Sequence, residues 1–341
     1  MEINRQWLLA KRPSGMVGPE NFKYAETPVP VPGSGEVLVK NLFLSFDPTQ
    51  RGWMVDQPGY LPPVNIGEPM RAGSVGQVVE SLHAEFSVGD LVQTTGCWQD
   101  YVVVAPGQGP MGLSKLPPGV SPEMMLSVLG ITGLTAYFGL LDLGQPRPGE
   151  TVLISGAAGA TGSVVGQIAK LKGCRVVGIA GGSEKCAWLQ KEAGFDAVID
   201  YKNENVRAQI AHHCPDKWDV FFDNVGGTIL EDALEHLNLR SRVVLCGGIA
   251  GYNATEPLPG PSNLMKLVTN RSRMEGFIIL DYLPRAAEAV KDIMAWVASG
   301  ELKFQIDLQE GFEHIPATLQ RLYTGKNFGK QLLKIADPVS V

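Results

Sequence analysis

The residues whose types and spacing point most directly to chemistry are Ala157, Gly159 and Gly162, in the run Thr151-Val-Leu-Ile-Ser-Gly-Ala-Ala-Gly-Ala-Thr-Gly162. Ala157-x-Gly159-x-x-Gly162 is the fingerprint of a dinucleotide-binding turn with alanine in place of its first glycine. A side chain at Gly159 would hold the backbone off a pyrophosphate, and one at Gly162 would hold the following helix off its strand. Ala160, Thr161 and Gly162 open that helix, and the free N–H groups of a helix N-terminus suit phosphate oxygens. Glycine turns also join strands to helices in proteins that bind nothing, so the flanking text has to carry the reading.

It does so on both sides. Thr151 to Ser155 is a short apolar, β-branched run, and Val164, Val165, Ile168, Ala169 and Leu171 recur with helical spacing. Lys170 and Lys172 suit the negative end of that helix, and Gly173 stops it. Beyond it, strands are predicted at Arg175–Ala180, Ala197–Ile199, Asp219–Asp223, Arg242–Cys246 and Glu275–Ile279. Helices alternate with them at Ser183–Glu192, Asn205–His212 and Thr228–Leu237, and a long one at Pro284–Ser299 ends at Gly300. That alternation is the pattern of an α/β doubly wound Rossmann sheet.

Residues 1 to 122 read differently. They are rich in Pro and Gly and broken into β-like runs at Glu36–Leu44, Ser74–Ser81, Leu91–Thr95 and Tyr101–Val104. A mostly β domain over 1–122 is therefore expected, rejoined by strand-like text at Lys303–Asp307 and Gln331–Ile335 in residues 302–341. The Rossmann domain occupies 123–301. A length of 341 residues fits two domains.

The cofactor's identity turns on the end of the second Rossmann strand. The text there is Ala180-Gly181-Gly-Ser-Glu184-Lys185, without the strand-end carboxylate that would hold a ribose 2′-hydroxyl and with a lysine close behind. This favours a 2′-phosphate and so NADP(H). Glu184 is the rival, one step of helix phase away.

Composition excludes other classes. With 44% hydrophobic and 19% charged residues the chain is an ordinary globular one, and a net charge of −6 argues against nucleic acid or an anionic membrane as partner. No apolar run reaches the ~18 residues of a membrane span, and Met1-Glu-Ile-Asn-Arg-Gln-Trp7 lacks the features of a signal peptide, so the cytoplasm is the expected compartment. Cys97, Cys174, Cys186, Cys214 and Cys246 contain no C-x-x-C pair and are joined by no histidine at ligand spacing, so no metal site is expected. His212-His213 reads as a polar helix end.

Several separate motifs together carry a resemblance over essentially the whole chain. Leu44-Ser-Phe-Asp-Pro48, Gly130-Ile-Thr-Gly-Leu-Thr-Ala-Tyr137, the fingerprint run to Gly178, Phe222-Asp-Asn-Val-Gly-Gly227, Gly276-Phe-Ile278 and Gly325-Lys-Asn-Phe-Gly-Lys330 resemble the zinc-independent medium-chain dehydrogenase/reductases. Within them the match is to the branch of prostaglandin reductases, plant alkenal double-bond reductases and bacterial curcumin-reductase-like enzymes. The resemblance implies a GroES-like β-rich domain beside the Rossmann domain, and a homodimer. It implies that Lys185 and Tyr201 grip the 2′-phosphate beside Gly181, and that Asn224 lies against the nicotinamide ribose. Cys246, Gly247, Tyr252, Phe277, Ile278 and Asn327 join Ala157, Gly159, Ala160, Thr161 and Gly162 in holding the cofactor. Tyr252, in Gly248-Ile-Ala-Gly-Tyr-Asn253, matches the tyrosine that assists the substrate oxygen. Without the family, Tyr201 also reads as a strand-end cap, Asn224 as a turn residue and Lys185 as a solvated helical lysine.

The reaction implied is reduction of the C=C bond of an α,β-unsaturated ketone or aldehyde, by hydride transfer to the β-carbon. A quinone reductase of the same superfamily and a non-catalytic NADPH-binding protein are the alternatives. An enone is polarised enough to accept hydride without a metal, and a hydrogen-bond donor aimed at the developing enolate oxygen lowers the barrier. One departure concerns the substrate side: where the family commonly has Tyr-Met-Arg after Asp47-Pro48, this chain has Thr49-Gln50-Arg51. Thr49, Arg51 and Tyr60 are the candidate pocket residues there, with Trp53 and Trp98 as possible walls and a structural salt bridge as the competing role for Arg51.

Overall fold

The computed structural model describes residues 2–57, 59–109 and 112–340 and divides into two units, Met1–Leu126 with Ile306–Val341, and Ser127–Gln305.

The first unit is built around β3 (Val37–Ser45), a strand rich in Val and Leu with eight of nine positions buried. Its sheet also contains β4 (Ser74–Ser81), β5 (Leu91–Thr94), β6 (Tyr101–Val104), β7 (Ser114–Lys115), β14 (Ile306–Glu310) and β15 (Lys330–Lys334). The order is β14-β15-β3-β4-β5-β7, with β6 pairing β3, so the C-terminal strands complete the N-terminal sheet through β15 against β3. Two features were not read from sequence: the hairpin of β1 (Ile3–Leu9) with β2 (Phe22–Pro28), and the helix α9 (Ile315–Tyr323). Both lay apolar residues on a core of Leu9, Phe22, Phe46, Met54, Trp98 and Leu319. The helix α1 (Pro122–Leu126) belongs here too, because Leu126 packs with Leu42, Phe43, Val75 and Leu332. The chain therefore changes unit at 126/127 and 305/306 rather than at 122/123 and 301/302.

The second unit has one six-stranded sheet, in the order β10-β9-β8-β11-β12-β13. The strands are β8 (Thr151–Ser155), β9 (Arg175–Ala180), β10 (Ala197–Asp200), β11 (Trp218–Asp223), β12 (Leu237–Leu245) and β13 (Arg273–Gly276), every pairing parallel. All five residues of β8 are buried, as a strand covered on both faces requires. The connecting helices are α3 (Ala160–Leu171), α4 (Ser183–Lys191), α5 (Val206–His213), α6 (Gly227–Leu234) and α7 (Met265–Thr269). Two more, α2 (Ile131–Phe138) and α8 (Ala286–Ala298), pack together, with Tyr137 Oη donating to Asp292 at 2.7 Å. After β8 the chain moves outward to β9 and β10, then returns to the far side of β8 to lay down β11. That reversal is the switch point where ligands bind in such sheets, outside the carboxyl ends of the strands. The last strand stops at Gly276, short of the predicted Ile279, which leaves Phe277 and Ile278 in the loop beyond the sheet.

Candidate cofactor site

The fingerprint turn occupies the C-terminal end of β8. Gly156 turns the chain at φ +58, a left-handed conformation that favours glycine, and Ala157 N–H donates to Ile179 O of β9 at 3.0 Å. Gly159 then caps α3 in extended conformation, so the N–H groups of Ala160, Thr161 and Gly162 precede the first intrahelical bond, Ser163 N–H to Gly159 O at 3.1 Å. A Cβ at Gly162 would lie 2.5 Å from Gly156 O and 2.9 Å from Ala157 Cα, whereas one at Gly159 would meet only Gly156 O at 3.2 Å, with open space otherwise. Gly162 thus allows the close approach of α3 to the turn before it, and Gly159 leaves open space beside that turn. Two further glycines serve packing and were missed: a Cβ at Gly166 would lie 2.0 Å from the Phe195 ring, and one at Gly178 2.9 Å from the same ring.

On the β9–β10 flank, Tyr201 lies over the turn that follows β9. A Cβ at Gly181 would come within 2.6–2.9 Å of the Tyr201 ring and hydroxyl. Gly182 takes φ +98, and its N–H donates to Asp200 at 2.9 Å. That bond first, then those from Asn203 and Lys202, hold the Asp200 carboxyl below the ordinary carboxylate range. Sequence reading missed Asp200, although an aspartate ending the next strand is its signal. Lys185 is half-buried in the first turn of α4, and Glu184 is exposed beside it.

Across the switch point, Ser155 and Asp223 end the adjacent strands β8 and β11. Ser155 Oγ donates to Asp223 at 2.6 Å and accepts from Asn224 N–H at 2.8 Å, while Asn224 Nδ2 donates to Ser155 O at 2.7 Å. The Asp223 carbonyl accepts from Cys246 and Gly247 N–H at 2.9 and 3.1 Å, which laces the loop after β12 to the loop after β11. Tyr252 folds back on that loop, its phenol oxygen accepting from Gly248 N–H at 3.3 Å. Burial, reinforced by Asp223, pushes the Cys246 thiol up to about 12, which keeps it protonated and unreactive at neutral pH. Phe277 is seated where Gly139 has no side chain: a Cβ there would lie 2.5 Å from Phe277 Cζ.

These loops border an open cleft of about 670 Å³, with Cys246, Gly247, Phe277 and Ile278 in its wall. Asp223, Leu230, Leu245 and Asp281 line it too, and none of them was singled out from sequence. The second unit thus offers the N-terminal N–H groups of α3 after β8, a half-buried lysine and a tyrosine at β9–β10, and a largely apolar cleft at β11–β13. That set fits an extended dinucleotide phosphate.

The remaining predicted residues lie in the first unit. Thr49 Oγ1 and Tyr60 Oη are in short hydrogen-bond contact, although eleven residues separate them. Thr49 is set by the segment before it, where Asp47 pairs with the buried Lys330 and Pro48 O accepts from Tyr323 Oη at 3.0 Å. Two of the quoted motifs, Leu44–Pro48 and Gly325–Lys330, therefore meet through their charged residues. Arg51 is buried and donates to Pro13 O and Gly15 O at 3.2 Å, so it holds the chain's own backbone rather than presenting a cation. Asn327, in the loop before β15, donates to Gly329 O at 3.1 Å. Trp98 is fully buried against Phe22 and Phe46, a core residue and not a pocket wall. Trp53 packs on the same core, with the Arg71 guanidinium 5.2 Å from its ring centroid.

Among the described residues no group of three or more His, Cys, Asp or Glu converges as a metal site, and no helix is long and apolar enough to cross a membrane.

Known proteins match this architecture from end to end. Residues 5–112 match the family described as the N-terminal domain of oxidoreductase, and residues 160–299 the family described as zinc-binding dehydrogenase. The chain is 43% identical over 338 residues to the NADPH-dependent curcumin reductase of Escherichia coli (strain K12), covering 98% of this chain and 97% of that one. It is 39% identical over 337 residues to prostaglandin reductase 1 of Rattus norvegicus, covering 97% and 98%. The crystal structure of CurA from Vibrio vulnificus in complex with NADPH superposes with a TM-score of 0.92 at 42% identity, over 98% of this chain and 100% of that one. On identity sustained across both units, the chain belongs to the zinc-independent medium-chain dehydrogenase/reductases, in the branch of the curcumin, prostaglandin and alkenal reductases.

Proposed function

We propose that this protein uses NADPH to reduce the C=C bond of α,β-unsaturated ketones and aldehydes. The observation that carries the reading is the cleft at the ends of β11–β13, which has Cys246, Gly247 and Phe277 in its wall and the Tyr252 phenol held at Gly248 of the same loop. NADPH, when bound, supplies the hydride that goes to the β-carbon of the substrate.

The protein's residues do the rest. Ala157, Gly159, Ala160, Thr161 and Gly162 present backbone to the pyrophosphate, and Gly181, Lys185 and Tyr201 take the 2′-phosphate. Asn224, Cys246, Gly247, Phe277, Ile278 and Asn327 hold the remainder of the cofactor. Tyr252 donates a hydrogen bond to the substrate oxygen, where charge develops as the enolate forms. Thr49 and Tyr60 are assigned to the substrate: the tyrosine displaced from its customary place after Asp47-Pro48 is supplied from further along the chain, and Thr49 holds its hydroxyl. Arg51 is withdrawn from the substrate and assigned to the fold.

The reading extends to a small-molecule substrate, no nucleic-acid or membrane partner, a cytoplasmic site of action and a homodimer. Supporting the dimer, β13 ends the sheet, and Leu264, Met265 and Val268 just before it are exposed. The deciding experiment follows loss of NADPH absorbance with matched panels of enones, alkenals, quinones and saturated aldehydes, with NADH as control and product analysis. Saturated ketone or aldehyde products with NADPH preferred are expected. Faster turnover of quinones than of every enone, or cofactor binding without turnover, would refute the assignment.

A further inference from the structure

Asp223 is fully buried at the C-terminal end of β11, in the wall of the cleft. Its carboxylate meets donors: the Ser155 hydroxyl at 2.6 Å, Val225 N–H at 3.1 Å and Gly226 N–H at 3.1 and 3.2 Å. Ser155 already accepts from Asn224 N–H at 2.8 Å. Such surroundings suit an anion better than an acid, and the N-terminus of α6, which begins at Gly227, adds its dipole in the same sense. Burial raises the carboxyl above the ordinary carboxylate range, the bonds from Ser155, Gly226 and Val225 oppose that rise without cancelling it, and among the described residues no cation acts on it. A desolvated charge of this kind is costly unless something else in the site compensates it.

Strand order says where that charge stands relative to a bound dinucleotide. The fingerprint turn is on β8, and the Gly181–Tyr201 flank is on β9 and β10. A cofactor with its adenosine end on that flank and its pyrophosphate at β8 continues to the other side, over β11 and β12. Neighbouring strands are roughly 4.8 Å apart, so the nicotinamide end comes to the cleft that Asp223 lines. The oxidised ring carries a positive charge and the reduced ring none.

We propose that the Asp223 carboxylate sets the redox preference of the site: by matching the charge of the oxidised nicotinamide it tightens NADP⁺ relative to NADPH, and so favours departure of the hydride. The inference rests on the cofactor reading above. Ser155 and the 225–226 backbone keep the carboxylate ionised and aimed, and Asn224 shares the same serine.

The test is a pair of dissociation constants, for NADP⁺ and for NADPH, measured by calorimetry on wild type and variants. Asp223→Asn keeps the acceptor for Val225 and Gly226 and removes the charge; NADP⁺ binding is expected to weaken at least tenfold more than NADPH binding. Asp223→Ser is a second neutral variant in case the first does not fold. Ser155→Ala removes one of the donors that keep the carboxylate ionised, so its NADP⁺ preference is expected to fall at low pH and to return as the pH is raised. Equal losses for both forms in the neutral variants would make Asp223 a loop holder only and overturn the proposal, as would a fall in NADP⁺ preference in Ser155→Ala that raising the pH does not restore. A wild-type protein that binds neither form would remove the cofactor reading itself, and the proposal with it.

Discussion

A methyl group added at Gly162 would stand 2.5 Å from Gly156 O and 2.9 Å from Ala157 Cα. Non-bonded carbon contacts are best near ~3.5–4 Å, and both obstacles are backbone, so α3 must lift off β8 by roughly 1 Å. Overpacking of this kind costs about 1–3 kcal/mol, and exchanging glycine for alanine in a helix returns up to about 1 kcal/mol. The net loss is about 1–2 kcal/mol, a fall in Tm of roughly 2–8 °C for a unit of this size. Gly159→Ala is the contrasting perturbation. Its backbone, at φ −78 and ψ 172, suits any residue, and its methyl would touch only Gly156 O, at 3.2 Å. Stability should change by no more than about 0.5 kcal/mol. The same methyl fills the space that a pyrophosphate needs, so the NADPH dissociation constant should rise tenfold or more, about 1.4 kcal/mol. Thermal unfolding of the apo-protein and calorimetric titration with NADPH separate the two effects. An unchanged Tm for Gly162→Ala would refute the packing argument, and an unchanged NADPH affinity for Gly159→Ala would remove the phosphates from the N-terminus of α3.

Lys185→Ala should weaken NADPH binding by about 1–3 kcal/mol and NADH binding much less, as for a lost charge-assisted contact; equal losses would take Lys185 out of the 2′-phosphate role. Tyr252→Phe should lower turnover by about 100-fold, the usual effect of deleting one oxyanion donor, with NADPH affinity nearly intact, and an unchanged rate would mean that another group stabilises the enolate. Thr49→Val and Tyr60→Phe should each raise KM for enones, and the double variant should be little worse than either single one, because the hydroxyls act as a pair; additive losses would show that they act separately.

The second unit was legible in its centre and less so at its edges. β8 and β9 were read to the residue, because fully buried parallel strands are short apolar runs bounded by turns. β12 begins at Leu237, five residues before its predicted start, since Asn238, Arg240 and Ser241 do not read as strand. In the first unit the β1–β2 hairpin escaped notice, because Arg5, Gln6, Lys23 and Glu26 mix polar residues into half-exposed strands. Trp98 and Arg51 show the limit for single residues: an aromatic or a cation beside a glycine turn has the same text in a core as in a pocket, and only burial separates the two. Ser155 and Asp223 could not be paired from sequence because they end different strands, whereas Asp200, which ends β10, carried a strand-end signal.

Sequence alone determined the order of the strands of the second unit and of its helices apart from α7, the glycines of the turn after β8 and the absence of a carboxylate at the end of β9. These follow from local chemistry: which residues tolerate a tight turn, which periodicity suits a strand, which charge faces a phosphate. Tertiary structure decided which strand ends stand side by side. Parallel packing brings Ser155 to Asp223 across a sequence gap of 68 residues, and loop closure brings Thr49 to Tyr60. Burial then turns Asp223 from an ordinary strand-end residue into a desolvated carboxyl in the wall of the cleft, because its environment comes from β8, β11 and α6 together.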